Sequence, residues 1–399
     1  MSANIKIFHS AMPGAPVLSG TAGALIAILD ACLVNGFGLK SVDSIVVAAG
    51  IATVSIPSGH IFEKDSCITV AGATPAGLNG EKKVLSATAT TLTFDATGIA
   101  NGAATGTLTA VLTPAGFTKL FSGTNLAAYK SSNPAASGGV LRVDDTATQS
   151  ARLTGYESMS DVNTGVGKTP TDVQVSGGLY WPKSSAASAA ARDWMVIADD
   201  RTFYVFLAPS TTYSPTRYFT AGFGDTLPTL ATDTTYSWFV SGQPAFDPSV
   251  TGSTTRASDL GYANFNLTSG ARYSPRSFTG LGSAVRLDNP NIKWRSGPSW
   301  SGNTAASNIF IAFPNCDGGL YIERSQLLEA TTTTGWYFRA ELPGFYHLPQ
   351  QTGDQFLTRD RLPTNNALVG RSVWAVRCGA AVTSGDFGTV ALDITGPWR

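Results

Sequence analysis

Charged residues are scarce in this sequence. Asp, Glu, Lys and Arg make up only 14% of its 399 residues, whereas an average soluble protein has about 25%. The 27 basic and 27 acidic residues give a formal net charge of zero, which provides no electrostatic footprint for DNA, RNA or an anionic membrane. A surface with little charge and many small residues suits packing against other copies or neighbouring proteins. We therefore predict an assembly component with no nucleic-acid partner and no membrane insertion.

Cysteine and histidine are also rare, and they are scattered along the chain. The four cysteines and three histidines are Cys32, Cys67, Cys316, Cys378, His9, His60 and His347. No two cysteines lie within four residues of each other, so the spacing of a CxxC metal or redox motif is absent. We predict no metal site and no cofactor. The cysteines are expected to be buried free thiols, and a disulfide between Cys316 and Cys378 is left open as the alternative.

Motifs of the common enzyme classes are missing. The GxSxG nucleophile elbow does not occur. Residues 165–169 end like a phosphate-binding P-loop, but Val162 stands where the motif needs glycine, and Pro170 interrupts the helix that should follow. The adjacent carboxylates at 144–145 and 199–200 are typical of turns. We predict no catalytic residue and no enzyme activity; a polysaccharide depolymerase with two carboxylates in a groove is the less favoured alternative.

Short apolar runs, separated by Gly, Asn, Pro and Thr, dominate the rest of the sequence. Such runs without intervening amphipathic helices favour antiparallel sheets, so the fold class is predicted to be mainly β. We divide the chain into an N-terminal arm and helix at 1–40, a small β-barrel-like module at 41–115 and an antiparallel β-sandwich-like domain at 116–399. Tight hairpins are predicted at 42–56 and at 194–208, and an alanine-rich helix is predicted at 184–193.

The longest helix is predicted at 22–34, capped near 19–21 and ended by Asn35-Gly36. Its apolar stripe includes Leu25, Ile28, Leu29 and Leu33. A helix of about 13 residues is too short to span a bilayer. The stripe is expected to pack on a sheet or on a neighbouring subunit, and its four residues are our candidate assembly contacts. The arm before the helix is the candidate attachment element, since arms of this kind order on docking.

Aromatic residues are dense in the last third of the chain. Exposed aromatic rings can stack on sugar rings, although most aromatics of a β-sandwich lie in its core. The candidate glycan-stacking residues are Trp294, Trp300, Trp336 and Tyr346. Exposure of these rings would favour a receptor- or glycan-binding protein.

A pattern within 59–114 carries a resemblance to a known family. It is formed by Gly59-His60, Asp65, Gly72-Ala73, Asn79-Gly80 and Gly106-Thr107. The pattern resembles a small β-domain of phage tail and other structural proteins, except that Glu63-Lys64 replace the usual Val-Gly. Together with the lead-in at 8–38 and the terminal segment at 393–399, it is similar to virion proteins of tailed bacteriophages and prophages of Gram-negative bacteria. These motifs are structural, so the resemblance implies a place in the particle rather than a catalytic residue.

Composition and resemblance together predict a structural component of a tailed-phage virion, in the tail, baseplate or fibre-attachment region. The expected partners are copies of the chain and neighbouring virion proteins, with a host surface glycan or receptor as a further candidate. Such a protein would be made in the bacterial host cytoplasm and would reside in the virion. The alternatives are a receptor- or glycan-binding fibre or spike protein and a capsid decoration protein.

Overall fold

The computed structural model describes residues 4–210, 217–246, 271–288, 311–312, 314–316, 318–330, 335–348, 350–351, 356–363, 368–379 and 387–399. Within these ranges the fold is mainly β, as predicted. One α-helix, α1 (Ala24–Leu29), continues into a π-helical segment at Asp30–Asn35, and a 3₁₀ turn lies at Ala76–Leu78. The other regular elements are strands, which form sheets of eight, five and twelve strands and two strand pairs.

The small module is one sheet of eight strands. In spatial order they are β2 (Lys40–Ser41), β9 (Thr109–Leu112), β5 (Cys67–Ala71), β6 (Gly80–Ala87), β7 (Thr91–Asp95), β4 (Ile51–Ser55), β3 (Ser44–Ala48) and β8 (Gly102–Ala103). The predicted hairpin at 42–56 is confirmed as β3 and β4, in which Ala48 pairs with Ile51. Ile45 and Val47 are buried, whereas Val46 between them is exposed. This alternation is the two-residue period of a strand with one face in the core.

The second sheet has five antiparallel strands. In spatial order they are β10 (Phe117–Gly123), β11 (Leu126–Ser131), β12 (Val140–Asp144), β13 (Ser150–Tyr156) and β16 (Leu179–Pro182). One hydrophobic cluster contains Tyr129 and Trp181 of this sheet together with Phe94 of the small module. The predicted boundary at 115–116 falls between β9 and β10, and that at 40–41 falls within β2. The division into domains stays a prediction.

The largest sheet has twelve strands. In spatial order they are β1 (Lys6–His9), β17 (Trp194–Ala198), β18 (Thr202–Leu207), β19 (Arg217–Asp225), β21 (Trp238–Ser241), β22 (Arg272–Ser274), β23 (Val285–Asp288), β25 (Glu323–Ala330), β26 (Trp336–His347), β29 (Phe387–Asp393) and β28 (Val373–Gly379), with β20 (Leu227–Pro228) paired to β26. Both β21 and β28 pair with β19. The strand order that leads from β19 through β21 to β28 therefore ends next to β19 again. The sheet curls around its own hydrophobic core. The two small pairs join β14 (Ser158–Met159) to β15 (Gly165–Val166) and β24 (Ile311–Ala312) to β27 (Gln350–Gln351).

The predicted hairpin at 194–208 is confirmed as β17 and β18, and it forms the middle layer of the protein. Its turn is closed by Asp199, whose Oδ1 accepts hydrogen bonds from the backbone N–H groups of Arg201 at 2.8 Å and Thr202 at 2.6 Å. Every residue of both strands is buried. Trp194 and Phe203 belong to the hydrophobic cluster shared with the five-stranded sheet. Their neighbours Met195 and Tyr204 face the opposite side and belong to the core of the largest sheet.

The N-terminal arm is part of the largest sheet. β1 pairs antiparallel with β17, from Lys6 opposite Ala198 to His9 opposite Met195, and the preceding Ile5 is fully buried. An arm that forms a strand within its own chain needs no docking partner to become ordered. Its role as an attachment element stays a prediction.

The N-terminus of α1 is held by a residue from a distant part of the chain. Asp145, which follows β12, accepts hydrogen bonds through Oδ2 from the backbone N–H groups of Leu25 at 2.7 Å and Ile26 at 3.1 Å. The cap predicted near 19–21 is therefore wrong: the residue at the N-cap is Gly23, with φ of 78°, and it supplies no side-chain bond. The helix N–H groups that lack partners within the helix obtain them from Asp145 instead.

A buried lysine neutralises Asp145. Lys183 follows β16, and both side chains are 0% exposed. Its Nζ donates to Asp145 Oδ1 and, at 2.8 Å, to the carbonyl oxygen of Thr21. This ion pair joins the helix to two strands of the five-stranded sheet.

The prediction of a helix at 184–193 is wrong. Its backbone groups bond to other segments: Ser185 N donates to Pro209 O at 2.6 Å, and Ser188 O accepts from Gly20 N at 2.8 Å. A backbone group with a partner in another segment is not available for the bond four residues away that a helix requires. Tertiary hydrogen bonding has overridden the helix propensity of the alanines.

The cysteines are free in the described residues. Cys32, Cys67 and Cys378 are buried as predicted, whereas Cys316 is exposed. Burial raises the pKa of the Cys67 thiol to about 11, so this thiol is protonated at neutral pH. Among the described residues, none of the helices has the length and apolar character needed to cross a membrane.

Replacement of Lys183 by Met is expected to lower the free energy of unfolding by about 3–5 kcal/mol, because Asp145 would remain as a buried charge without its partner. Denaturant unfolding followed by tryptophan fluorescence measures the change. The matched control is Lys168→Met, since the side chains of the Lys168–Asp172 pair are 30% and 61% exposed and surface pairs contribute about 0–1 kcal/mol. Equal losses in the two variants would contradict the role assigned to the buried pair.

Candidate functional site: an aromatic groove

Two of the four candidate glycan-stacking residues, Trp336 and Tyr346, lie within the described residues, and they are far apart. Trp294 and Trp300 lie outside the described residues. Trp336 and Tyr346 are half-buried and lie near opposite ends of β26, roughly 30 Å apart at about 3.3 Å per strand residue. Tyr346 also packs against a core cluster that contains Leu320 and Leu348. These two rings are too far apart to stack on the same sugar ring, and a role of either residue in glycan stacking stays a prediction.

A groove with exposed aromatic rings lies beside the first half of β26. Tyr337 and Phe338 are 52% and 41% exposed, and Leu230, which follows β20, is 46% exposed. Phe278, from the loop after β22, meets Tyr337 edge-on, with ring centroids 5.0 Å apart. Together with Thr229 and Arg339, these residues line a cavity of about 240 Å³. We call this cavity and its continuation, described next, the aromatic groove.

The aromatic groove continues into a more polar half of about 450 Å³. Leu230 and Phe278 line both halves, and Tyr236 belongs to the second. The exposed hydroxyl-bearing residues of this half are Thr232, Thr234, Thr235 and Thr279. The groove therefore has an aromatic wall on one side and a rim of hydroxyl groups on the other.

A buried arginine fixes the floor of the aromatic groove. Arg339 is 4% exposed and donates to Asp233 Oδ2 at 3.0 Å and to Glu329 Oε2 at 2.8 Å. It also donates to the carbonyl oxygens of Arg276 at 2.7 Å and Tyr236 at 3.1 Å. The planar guanidinium, with its five N–H donors, thus ties both loops of the groove to β25.

Arg339 reaches this network through a β-bulge. Leu328 pairs with Phe338 and Leu327 pairs with Ala340, so Arg339 has no opposite residue on β25. A bulge of this kind re-aims a side chain relative to the regular alternation of the strand. Arg339 is thereby buried in the floor while its neighbour Phe338 stays exposed.

A second arginine supports the side of the groove. Arg276 donates to both carboxylate oxygens of Glu157, at 2.6 and 2.9 Å, and its guanidinium lies 4.7 Å from the centre of the Tyr236 ring. The hydrogen bonds to Glu157 raise the pKa of Arg276, so this side chain stays charged. Arg276 and Arg339 are thus both paired with carboxylates. The two carboxylates beneath the groove, Asp233 and Glu329, both pair with Arg339.

The carboxylate pairs noted in the sequence have structural partners. Asp145 is paired with Lys183, and Asp199 binds the guanidinium of Arg399. Burial raises the pKa of Asp199. Asp200 accepts a hydrogen bond from Asn133 Nδ2 at 3.0 Å. Across the ranges that the structure describes, no three His, Cys, Asp or Glu side chains are grouped so as to hold a metal ion.

The four candidate assembly contacts lie in the core of their own chain. Leu25, Ile28, Leu29 and Leu33 are each 0% exposed. They share one hydrophobic cluster with Leu112 of the small module and Phe117 of the five-stranded sheet. The apolar stripe of the helix therefore packs on the sheets of its own chain, which is one of the two arrangements expected from the sequence. Contact of these residues with another subunit would require this core to open, and it stays a prediction.

The sequence does not predict the aromatic groove, because the wall of the groove combines distant segments. Leu230 and Phe278 stand in loops whose local sequences give no sign that they meet. One signal was present: the consecutive aromatics at 336–338. Neighbours in a strand face opposite sides, so three aromatic residues in a row place aromatic rings on both faces of the strand.

Comparison with known proteins does not assign the chain to a family. No protein family model matches it, and no curated protein matches it. Its function has to be argued from its own residues and their geometry.

Replacement of Arg339 by Leu is expected to release the loop at 229–237, because Asp233 and Glu329 would lose their buried cation. Hydrogen–deuterium exchange of peptides from this loop should become faster, and the free energy of unfolding should fall by about 3–5 kcal/mol. The control is Arg324→Leu, since Arg324 is 63% exposed and pairs with Glu341 at 2.9 Å. Unchanged exchange in the Arg339 variant would contradict the role of this network.

Proposed function

We propose that the chain is a structural component of a tailed-phage virion, in the tail, baseplate or fibre-attachment region, and that it acts through contacts between subunits. The resemblance of the pattern in 59–114, the lead-in and the terminal segment to phage virion proteins is the first support. The low and balanced charge of the chain is the second. Its partners in this proposal are copies of itself and neighbouring virion proteins.

The residues that carry the resemblance hold backbone geometry. A Cβ atom on Gly72, whose φ is 78°, would lie 1.9 Å from the carbonyl oxygen of Thr107, and one on Gly106 would lie 2.1 Å from that of Gly72. The Asn79 side chain accepts from Ala73 N at 2.8 Å and donates to Ala73 O at 2.7 Å. These roles agree with a pattern that encodes a structural module, and none of them is catalytic.

The observation that best supports assembly is the outward face of the small module, which we call the outer module face. It is formed by β3, β4, β7 and β6, and its exposed aliphatic residues are Val46, Ile51 and Leu85. Between them runs a row of hydroxyl residues in register, with Thr53 opposite Thr93 and Thr93 opposite Ser86. Asp95, opposite Ile51, is an exposed charge on this face. Covering the aliphatic and hydroxyl side chains with another subunit costs less hydration free energy than covering charged ones. In our proposal this surface takes the contact role first assigned to the helix stripe.

A depolymerase is less well supported. Glycoside hydrolysis needs one carboxylic acid and one carboxylate beside the scissile bond. In the aromatic groove Asp233 and Glu329 are both bound to the buried Arg339, so neither faces a substrate as a free acid or base. A capsid decoration protein would use the same kind of contact surface as a tail component.

The proposal predicts that the chain is found by mass spectrometry in purified particles of the phage that encodes it, and that the purified chain self-associates. Val46→Glu should weaken this association about tenfold or more, because a charge would be desolvated in the interface. Light scattering coupled to gel filtration measures the molar mass as a function of concentration.

The control for this variant is Val173→Glu, because Val173 is 98% exposed and lies in the loop between β15 and β16, outside the small module. It should leave the molar mass unchanged. A chain that is monomeric at every concentration and absent from particles would refute the proposal. Association that both variants leave intact would refute the role of the outer module face alone.

A further inference from the structure

The aromatic groove has features that subunit assembly through the outer module face does not use. It lies on the largest sheet, between the loop at 229–237, the loop at 275–280 and the start of β26. Its two halves, of about 240 and 450 Å³, are of the order of small-ligand sites, which are about 300–1,000 Å³. A stable protein interface buries about 800 Å² on each partner, whereas the groove is formed by two loops and the start of one strand.

The lining of the groove selects the chemistry of its ligand. The wall formed by Phe278, Tyr337 and Phe338 offers aromatic surface to an apolar face, and the threonines at 232, 234, 235 and 279 offer hydroxyl groups that both donate and accept. A ligand that satisfies both sides needs apolar C–H surface on one face and many hydroxyl groups around its edge. A pyranose ring has this arrangement.

The ion pairs beneath the groove indicate the charge of the ligand. Arg339 donates to two carboxylates and two carbonyl oxygens. Arg276 donates through Nε and Nη2 to the two carboxylate oxygens of Glu157. An anionic ligand would have to displace one of these carboxylates to obtain a cation. A neutral ligand leaves every pair intact and is therefore favoured.

We propose that the aromatic groove binds a neutral saccharide. The apolar face of a pyranose ring packs on Tyr337, with Phe278 bounding it edge-on, and the sugar hydroxyls bond to the threonine rim. Arg339 is a positioning residue: it holds both loops in place before the ligand arrives, so that little binding energy is lost in ordering them. This binding does not depend on the proposed place of the chain in a virion.

Affinity electrophoresis of the full chain through gels that contain one soluble polysaccharide each tests the proposal. The neutral probes are dextran, mannan and galactomannan, and the anionic probes are hyaluronate and dextran sulfate. At least one neutral polysaccharide is expected to retard the protein, and neither anionic one is. Tyr337→Ala should weaken the retarding interaction about tenfold or more, as loss of a central aromatic contact does, whereas Tyr337→Phe should preserve it.

The matched control is Tyr321→Ala, because Tyr321 is 44% exposed, close to the 52% of Tyr337, and does not line the groove. It should leave the mobility unchanged. Leu230→Arg, at a position 46% exposed, provides a second variant that fills the mouth of the groove and should also abolish retardation. This variant keeps the test decisive if Tyr337→Ala does not fold.

Three results would overturn the proposal. One is the absence of retardation by every neutral polysaccharide. Another is retardation that Leu230→Arg leaves unchanged, which would place binding elsewhere on the protein. The third is retardation by dextran sulfate alone, which would identify an anion-binding surface.

Discussion

The buried ion pair between Asp145 and Lys183 is the interaction on which the rest of the structure depends. The N-terminal N–H groups of a buried helix need acceptors, and Asp145 provides one oxygen to Leu25 and Ile26 while its other oxygen binds Lys183. The helix, Asp145 and Lys183 come from three separate parts of the chain. The pair therefore locks the helix onto the five-stranded sheet, and the helix in turn packs its apolar stripe on the core that joins this sheet to the small module. Without neutralisation, a carboxylate in this position would be costly to bury.

In the largest sheet, Arg339 likewise forms buried ion pairs that join distant segments of the chain. Although only 14% of the residues are charged, several are placed in buried or half-buried pairs that connect distant loops, as Arg339 does with Asp233 and Glu329. Charge used in this way is removed from the surface. One consequence is an outer module face made mainly of aliphatic and hydroxyl residues, with Asp95 opposite Ile51 as an exposed charge at its edge. The other is an aromatic groove whose arginines are already paired, which suits a neutral ligand. The two proposed functions of the chain share this physical origin.

Local pattern predicted much of the fold and little of the candidate site. The hairpins at 42–56 and 194–208 follow from alternation and turn residues that lie next to each other in the sequence, and the helix after residue 22 follows from its stripe. The helix at 184–193 was wrong because bonds to Gly20 and Pro209 outweigh alanine propensity. The candidate glycan-stacking residues follow from the density of aromatics in the sequence, whereas a stacking surface depends on exposure and on which loops meet.

The sequence by itself determined that this protein is mainly β, that its surface carries little charge, and which residues alternate between core and solvent in its best-defined hairpins. These properties depend on composition and on neighbours within a few positions. Only the tertiary structure decided that the N-terminal arm pairs with β17, that Asp145 caps a helix about 120 residues earlier in the chain, and that Leu230, Phe278 and Tyr337 form one groove. Such contacts join residues that are far apart in the sequence, and the burial and hydrogen bonding of the whole core select them.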